Sequence, residues 1–127
     1  MEEKILEVLE KYKQVICEQQ KDKFYALWSK TQECKLISIV NEYIGVESIY
    51  KDFLIGGIQA KYQKISLIAD KVEIQIINEM AIVIFEYHTE CVKRDTGENY
   101  GIKGIETQIM ILEKDEWKLL YVHYSKE

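Results

Sequence analysis

Trp117-Lys118-Leu119-Leu120-Tyr121-Val122-His123-Tyr124-Ser125 is the stretch from which the fold is read. Its aromatic and β-branched residues predict a strand. Under strict alternation Trp117, Leu119, Tyr121, His123 and Ser125 share one face, which puts one of the chain's two histidines beside the tryptophan. Working back from it, Lys114-Asp115-Glu116 reads as a turn, Tyr100 to Glu113 as a strand, and Asp95-Thr96-Gly97-Glu98 as another turn. Ala81 to Lys93 reads as a further strand, entered through a short hairpin turn at Asn78-Glu79. From Lys64 the apolar period is two. Ile65, Leu67 and Ala69 keep one phase; Val72, Ile74 and Ile76 keep the other. A one-residue slip would turn the core face outward, so a bulge or sharp bend is expected near Asp70-Lys71.

The first half has a different period. Ile5, Val8, Leu9, Tyr12, Val15 and Ile16 form one helical stripe with Glu and Lys opposite. The stripe lapses at Glu18–Asp22. A second, short helix follows, running to about Lys30, with Asp22 as its cap and Phe24, Leu27 and Trp28 as its buried face. Cys34 to Val40 predicts a short strand. A third helix carries Val46, Ile49, Tyr50, Phe53 and Leu54 and is expected to end at Gly56-Gly57. Helices first and long hairpin-linked strands last define an α+β fold, with helices packed on one face of an antiparallel sheet. Strands this long, with a bulge, curve. A curved sheet with helices across its concave side encloses a cavity.

The chain has 127 residues, 47% of them hydrophobic and 31% charged, and a net charge of −5. That length and composition predict one folded domain over residues 1–127. Lys and Glu are interspersed, so no basic stripe is available to a phosphate backbone, and nucleic acid is not an expected partner. No apolar run reaches membrane-spanning length, and the charged start Met1-Glu2-Glu3-Lys4 lacks the pattern of a signal peptide. Cys17, Cys34 and Cys91 are few, odd in number and scattered; a reducing, cytoplasmic setting is expected, with no disulfide framework and no zinc site. No phosphate-binding loop, dinucleotide fingerprint or nucleophile elbow occurs, and no cofactor is expected.

Gly45 before the third helix, the Asn78-Glu79-Met80-Ala81 hairpin, Thr107, Trp117, and the His123-x-Ser125 ending occur in an order that resembles the nuclear-transport-factor-2-like superfamily, within it the SnoaL-like and ketosteroid-isomerase-like domains. The resemblance implies a cone-shaped α+β barrel with the N-terminal helices on the concave face of the sheet. Tyr12 sits where ketosteroid isomerases carry a tyrosine on the first helix. Their general-base aspartate would fall near Leu36, which cannot take a proton. The arginine common two residues before the threonine is Ile105 here, and the first histidine of the common His-x-His-x-Ser ending is Tyr121.

His123 and Tyr12 are therefore the candidate catalytic residues, His123 as acid–base group or as a polar anchor for its strand, Tyr12 as hydrogen-bond donor. Trp28, Tyr50, Phe53, Tyr62, Thr107, Trp117, Tyr121 and Ser125 are candidate ligand-binding residues; the aromatic ones serve equally well as core. Glu106 alternates with Thr107, so only one of the two faces inward, and a lone acid in a strand is expected on the wet face. Glu86, His88 and Glu90 share one face of a strand but converge poorly on an ion, and no metal site is assigned. Val83, Phe85 and Tyr87 lie on one face of their strand and Ile82 and Ile84 on the other. A strand apolar on both sides calls for a second layer, and a homodimer through the outer sheet face is expected. The expected function is binding of a small apolar or aromatic molecule in a helix–sheet pocket. An isomerase- or lyase-type enzyme using His123, and a non-catalytic association module with a filled pocket, are the alternatives.

Overall fold

The computed structural model describes residues 1–127. Helix α1 spans Glu2–Glu18 and buries Ile5, Val8, Leu9, Tyr12, Val15 and Ile16. It stops at Gln19, which adopts a left-handed conformation (φ 61°) and donates its backbone N–H to the Val15 carbonyl. This is how helix ends are satisfied when the chain must turn sharply. Helix α2 (Lys21–Ala26) has Gln20 at its N-cap position without a side-chain capping bond, Asp22 lies inside its first turn rather than at the cap, and the helix ends four residues short of Lys30.

Strand β1 (Lys35–Ile37) is shorter than expected, and Glu42–Ile44 forms a second short strand, β2, where only a lead-in to helix was expected. The third helix, α3, begins at Val46–Ser48 and continues as a π-helix over Ile49–Gln59. Gly56-Gly57 therefore lies inside it rather than ending it. Ile49, Phe53 and Leu54 are buried along it, and Gly57 and Ile58 near its end border a cavity between helices and sheet.

The remaining strands are β3 (Tyr62–Ile77), β4 (Met80–Lys93), β5 (Asn99–Tyr100), β6 (Lys103–Glu113) and β7 (Glu116–Tyr124). The order is β2-β1-β7-β6-β4-β3, with β5 added to β4. All pairs are antiparallel except β1 with β7, so the sheet is mixed. The phase switch read at Asp70-Lys71 is a register shift between Asp70 and Glu73, with Lys71 at φ 49°. Asn78 turns the β3–β4 hairpin at φ 54°.

A second shift separates Ile109 and Met110 on β6 from Tyr121 and Leu119 on β7, leaving Leu120 as the extra residue. It changes the phase of β7. Trp117 and Leu119 are buried, but beyond the bulge Val122 and Tyr124 turn inward while Tyr121, His123 and Ser125 turn out. The expectation that Trp117, Leu119, Tyr121, His123 and Ser125 share one face is thus corrected: a bulge adds one residue, and period-two side chains change sides across it.

The helices cover the concave face. One apolar cluster joins Ile5, Leu9 and Ile16 of α1 to Phe24 and Trp28, to Leu54 of α3, and to Val83, Phe85, Met110, Leu119 and Val122 of the sheet. The architecture is a cone: helices over a strongly curved sheet that is closed at one end by core and open at the other.

A buried carboxyl in an aromatic cavity

At the open end α1, α3 and the sheet enclose a cavity of about 120 Å³. Its walls come from six aromatic side chains, Tyr12, Tyr43, Phe53, Tyr62, Tyr87 and Tyr124, with Ile16, Ile65 and Leu67 between them. Exposed Val40 and Lys61 mark the rim. The rings form a connected wall. Tyr43 lies 5.6 Å from Phe53, Phe53 6.1 Å from Tyr124, and Tyr124 5.8 Å from Tyr87 between centroids.

Glu106 supplies the acid of this cavity. It stands on β6 in phase with Gln108 and Met110, directly opposite Phe85 of β4 and Tyr124 of β7. It is 3% exposed, and Gln108 Nε2 donates to its Oε2 at 2.8 Å. Burial raises its pKa from the ordinary 4.5 to about 7, the Gln108 hydrogen bond opposing that rise. A carboxyl so placed holds or releases its proton near neutrality. The Gln108 amide suits both states: its nitrogen donates to the carboxylate, and turned over its oxygen, otherwise unpartnered, accepts from the acid.

Three tyrosines surround the carboxyl. Burial, then Glu106 and Tyr124, push the Tyr12 hydroxyl well above its usual range. Burial and then Glu106 push Tyr87 up to about 12; burial, then Tyr87 and Glu106, push Tyr124 up further. All three stay protonated at neutral pH. Tyr87 Oη is committed to the Ser125 carbonyl at 2.7 Å and the Tyr124 hydroxyl also meets Ser38, so Tyr12 is the phenol near Glu106 with the fewest obligations. The cluster can bind a ligand's polar end and exchange one proton with it.

Among the residues expected in a site, Tyr12, Phe53 and Tyr62 line the cavity. Trp28 and Trp117 are buried in the core outside it, and Tyr50 packs on Phe24 and Tyr25. His123 does not reach the cavity. It lies exposed on the outer face opposite Thr107, the face that also carries Tyr121 and Ser125. Ser125 touches the site only through its carbonyl. Glu106 and Thr107 occupy the opposite faces from those expected, because β6 reverses the usual pattern: Glu106 and Gln108 point in while Ile105, Ile109 and Ile111 point out. That reversal was the readable signal of a site. Tyr87 and Tyr124 carried no comparable mark. His88 sits between Asp70 and Glu90 at 3.8 and 3.9 Å on the wet side, and no cluster of potential metal ligands is present.

The cone of curved sheet and covering helices is the nuclear-transport-factor-2-like fold, the cystatin-like α+β architecture. A nuclear-transport-factor-2-like superfamily protein from Salmonella enterica serovar Typhimurium LT2 superposes with a TM-score of 0.92 at 23% identity, over 98% of this chain and 89% of that one. A candidate dehydratase of the same family from Streptomyces avermitilis gives 0.86 at 13% identity, over 98% and 95%. The hexachlorocyclohexane dehydrochlorinase LinA-type3 from Novosphingobium barchaimii gives 0.84 at 10%, over 97% and 84%. No protein-family sequence model and no curated protein sequence matches the chain.

Proposed function

We propose that this chain binds a small apolar or aromatic molecule in the cone cavity, with the ligand's polar end at Glu106, Tyr12 and Tyr124. The observation that carries the reading is a buried acid flanked by phenol hydroxyls inside an otherwise apolar enclosure, since a buried acid without a counter-charge opposes folding and is retained where it has work to do. The ligand-binding unit is a homodimer formed through the outer sheet face. Ile77, Met80, Ile84, Ile105 and Tyr121 support this: all lie on that face and are 38–53% exposed. Contiguous apolar surface of this kind marks an interaction site.

Titration of benzyl alcohol into the protein by calorimetry tests the reading. Binding is expected in the wild type and in His123→Ala, and is expected to be lost in Leu67→Trp, which fills the cavity. Equal binding by all three would place the site elsewhere.

A catalytic reading is favoured by one observation. A carboxyl titrating near 7 is matched to proton transfer at neutral pH. In this reading Glu106, rather than His123, takes a proton from a carbon acid while Tyr12 steadies the charge that develops, giving an isomerase- or lyase-type reaction. The names of two structural neighbours, a candidate dehydratase and a dehydrochlorinase, are consistent with elimination chemistry in such a cone. Proton–deuterium exchange into a bound carbon acid, abolished by Glu106→Gln, is its test.

A further inference from the structure

The cavity is one-sided in charge. Glu106 is its only carboxyl, and Lys61, its only basic side chain, stands exposed at the rim. Glu106's one polar protein partner is the neutral amide of Gln108. From the packed elements the groups that face it are Tyr12 of α1, Tyr87 of β4 and Tyr124 of β7, all uncharged near neutrality. The interior therefore holds a latent negative charge and no positive one.

The rings around this acid have a particular arrangement. Tyr43 and Phe53 are inclined by 54°, Phe53 and Tyr124 by 55°, and Tyr124 and Tyr87 by 86°. Parallel rings would make a slot for a flat ligand. Rings inclined by half a right angle or more from one to the next leave no flat slot, and the planes that line the cavity differ in direction. Faces carry the negative end of the ring quadrupole and attract a cation within about 6 Å.

We propose that the ligand of this cavity carries an organic ammonium group, seated between the Glu106 carboxylate and the rings of Tyr12, Tyr87 and Tyr124. This rests on the reading of the cavity as a small-molecule site. The ammonium supplies the counter-charge that the fold withholds, and its hydrocarbon part lies against Ile65, Leu67 and Phe53. A primary ammonium donates to Glu106 Oε1, the oxygen that Gln108 does not engage, and places its remaining positive surface on the rings. Binding then selects the ionised form of Glu106 and releases the proton that the empty site holds with a pKa of about 7.

Benzylamine and benzyl alcohol match closely in shape and differ in charge, and the amine stays protonated from pH 6 to pH 8. Calorimetric titration of both into the wild-type protein at those two pH values is the test. The expected result is a dissociation constant for benzylamine that falls about tenfold from pH 6 to pH 8, following the ionised fraction of Glu106, and lies below that of benzyl alcohol at pH 8. Glu106→Gln removes both effects, and the two-ligand comparison on the wild type stands without the variant. Benzyl alcohol binding as tightly as the amine at pH 8, or amine affinity that ignores pH, overturns the ammonium assignment and leaves the cavity a site for neutral ligands. Binding of neither compound at either pH overturns the small-molecule reading itself and the assignment with it.

Discussion

Glu106 and Tyr124 are cross-strand partners on β6 and β7, and both point into the cavity; one residue along each strand, Thr107 and His123 are partners pointing out. The polarity of the site depends on this register. Without the extra residue at Leu120 the outer part of β7 would present His123 to the interior, and Glu106 would face a histidine rather than a phenol.

The first consequence concerns stability against pH. Glu106 has an ordinary pKa of 4.5 when the chain is unfolded and about 7 when folded. The folded state keeps a proton that the unfolded state gives up. Its contribution is complete below pH 4.5, falls through the interval up to 7, and is gone above it. Chemical denaturation without ligand should show stability declining from pH 5 to pH 8 by up to about 3 kcal/mol. Glu106→Gln should flatten that decline and be the more stable protein at pH 8.

Glu113 behaves in the opposite sense. Against the upward push of desolvation, hydrogen bonds from the Ser29 and Thr31 hydroxyls and the Lys30 N–H hold its pKa at about 2. Its contribution is present above the unfolded value of 4.5 and is lost as pH falls through 2. These bonds pin the segment after Trp28 to the end of β6. In Glu113→Ala the amide of Lys30 should exchange with solvent several-fold faster at neutral pH. Unchanged exchange would mean that the segment is held by its other contacts alone.

Gly104 is required for closure of the sheet. A Cβ there would lie 2.1 Å from the carbonyl oxygen of Ser125, a backbone atom that cannot move without dragging the end of β7. Gly104→Ala should destabilise the fold by about 1–3 kcal/mol and release the Ser125 N–H bond to Ile105. A thermal melt within a degree of wild type would contradict it.

Much of this architecture was legible in the residues. The 3.6 and 2.0 periods separated helices from strands, Asn78 marked its hairpin, and the opposite phases of Ile65–Ala69 and Val72–Ile76 located the β3 bulge. The bulge at Leu120 was not legible, because Leu119 and Leu120 are chemically alike and neither assignment breaks an apolar pattern. The cavity acid was misplaced for a related reason. Acids in strands usually sit on the wet face, but in β6 the isoleucines at 105, 109 and 111 take that face and leave Glu106 to the interior. Strand β2 consists of three residues, one half-buried, and is held by pairing with β1, a long-range effect that no local period reports.

Those outward isoleucines give a prediction about assembly. Replacing Ile84 and Ile105 together by Glu should put four charges into a dimer interface and leave the cavity lining untouched. Sedimentation equilibrium at micromolar concentration should change from dimer to monomer. A wild-type protein that is already monomeric there would exclude the dimer.

Glu106 itself reports whether a carboxyl in the cone cavity titrates near neutrality. The direct measurement is the ¹³C chemical shift of its side-chain carboxyl, followed against pH with and without a cavity ligand. A midpoint near 7 is expected in the empty protein, with a downward shift when benzylamine is bound. A midpoint in the ordinary carboxylate range, unmoved by either benzylamine or benzyl alcohol, would contradict it.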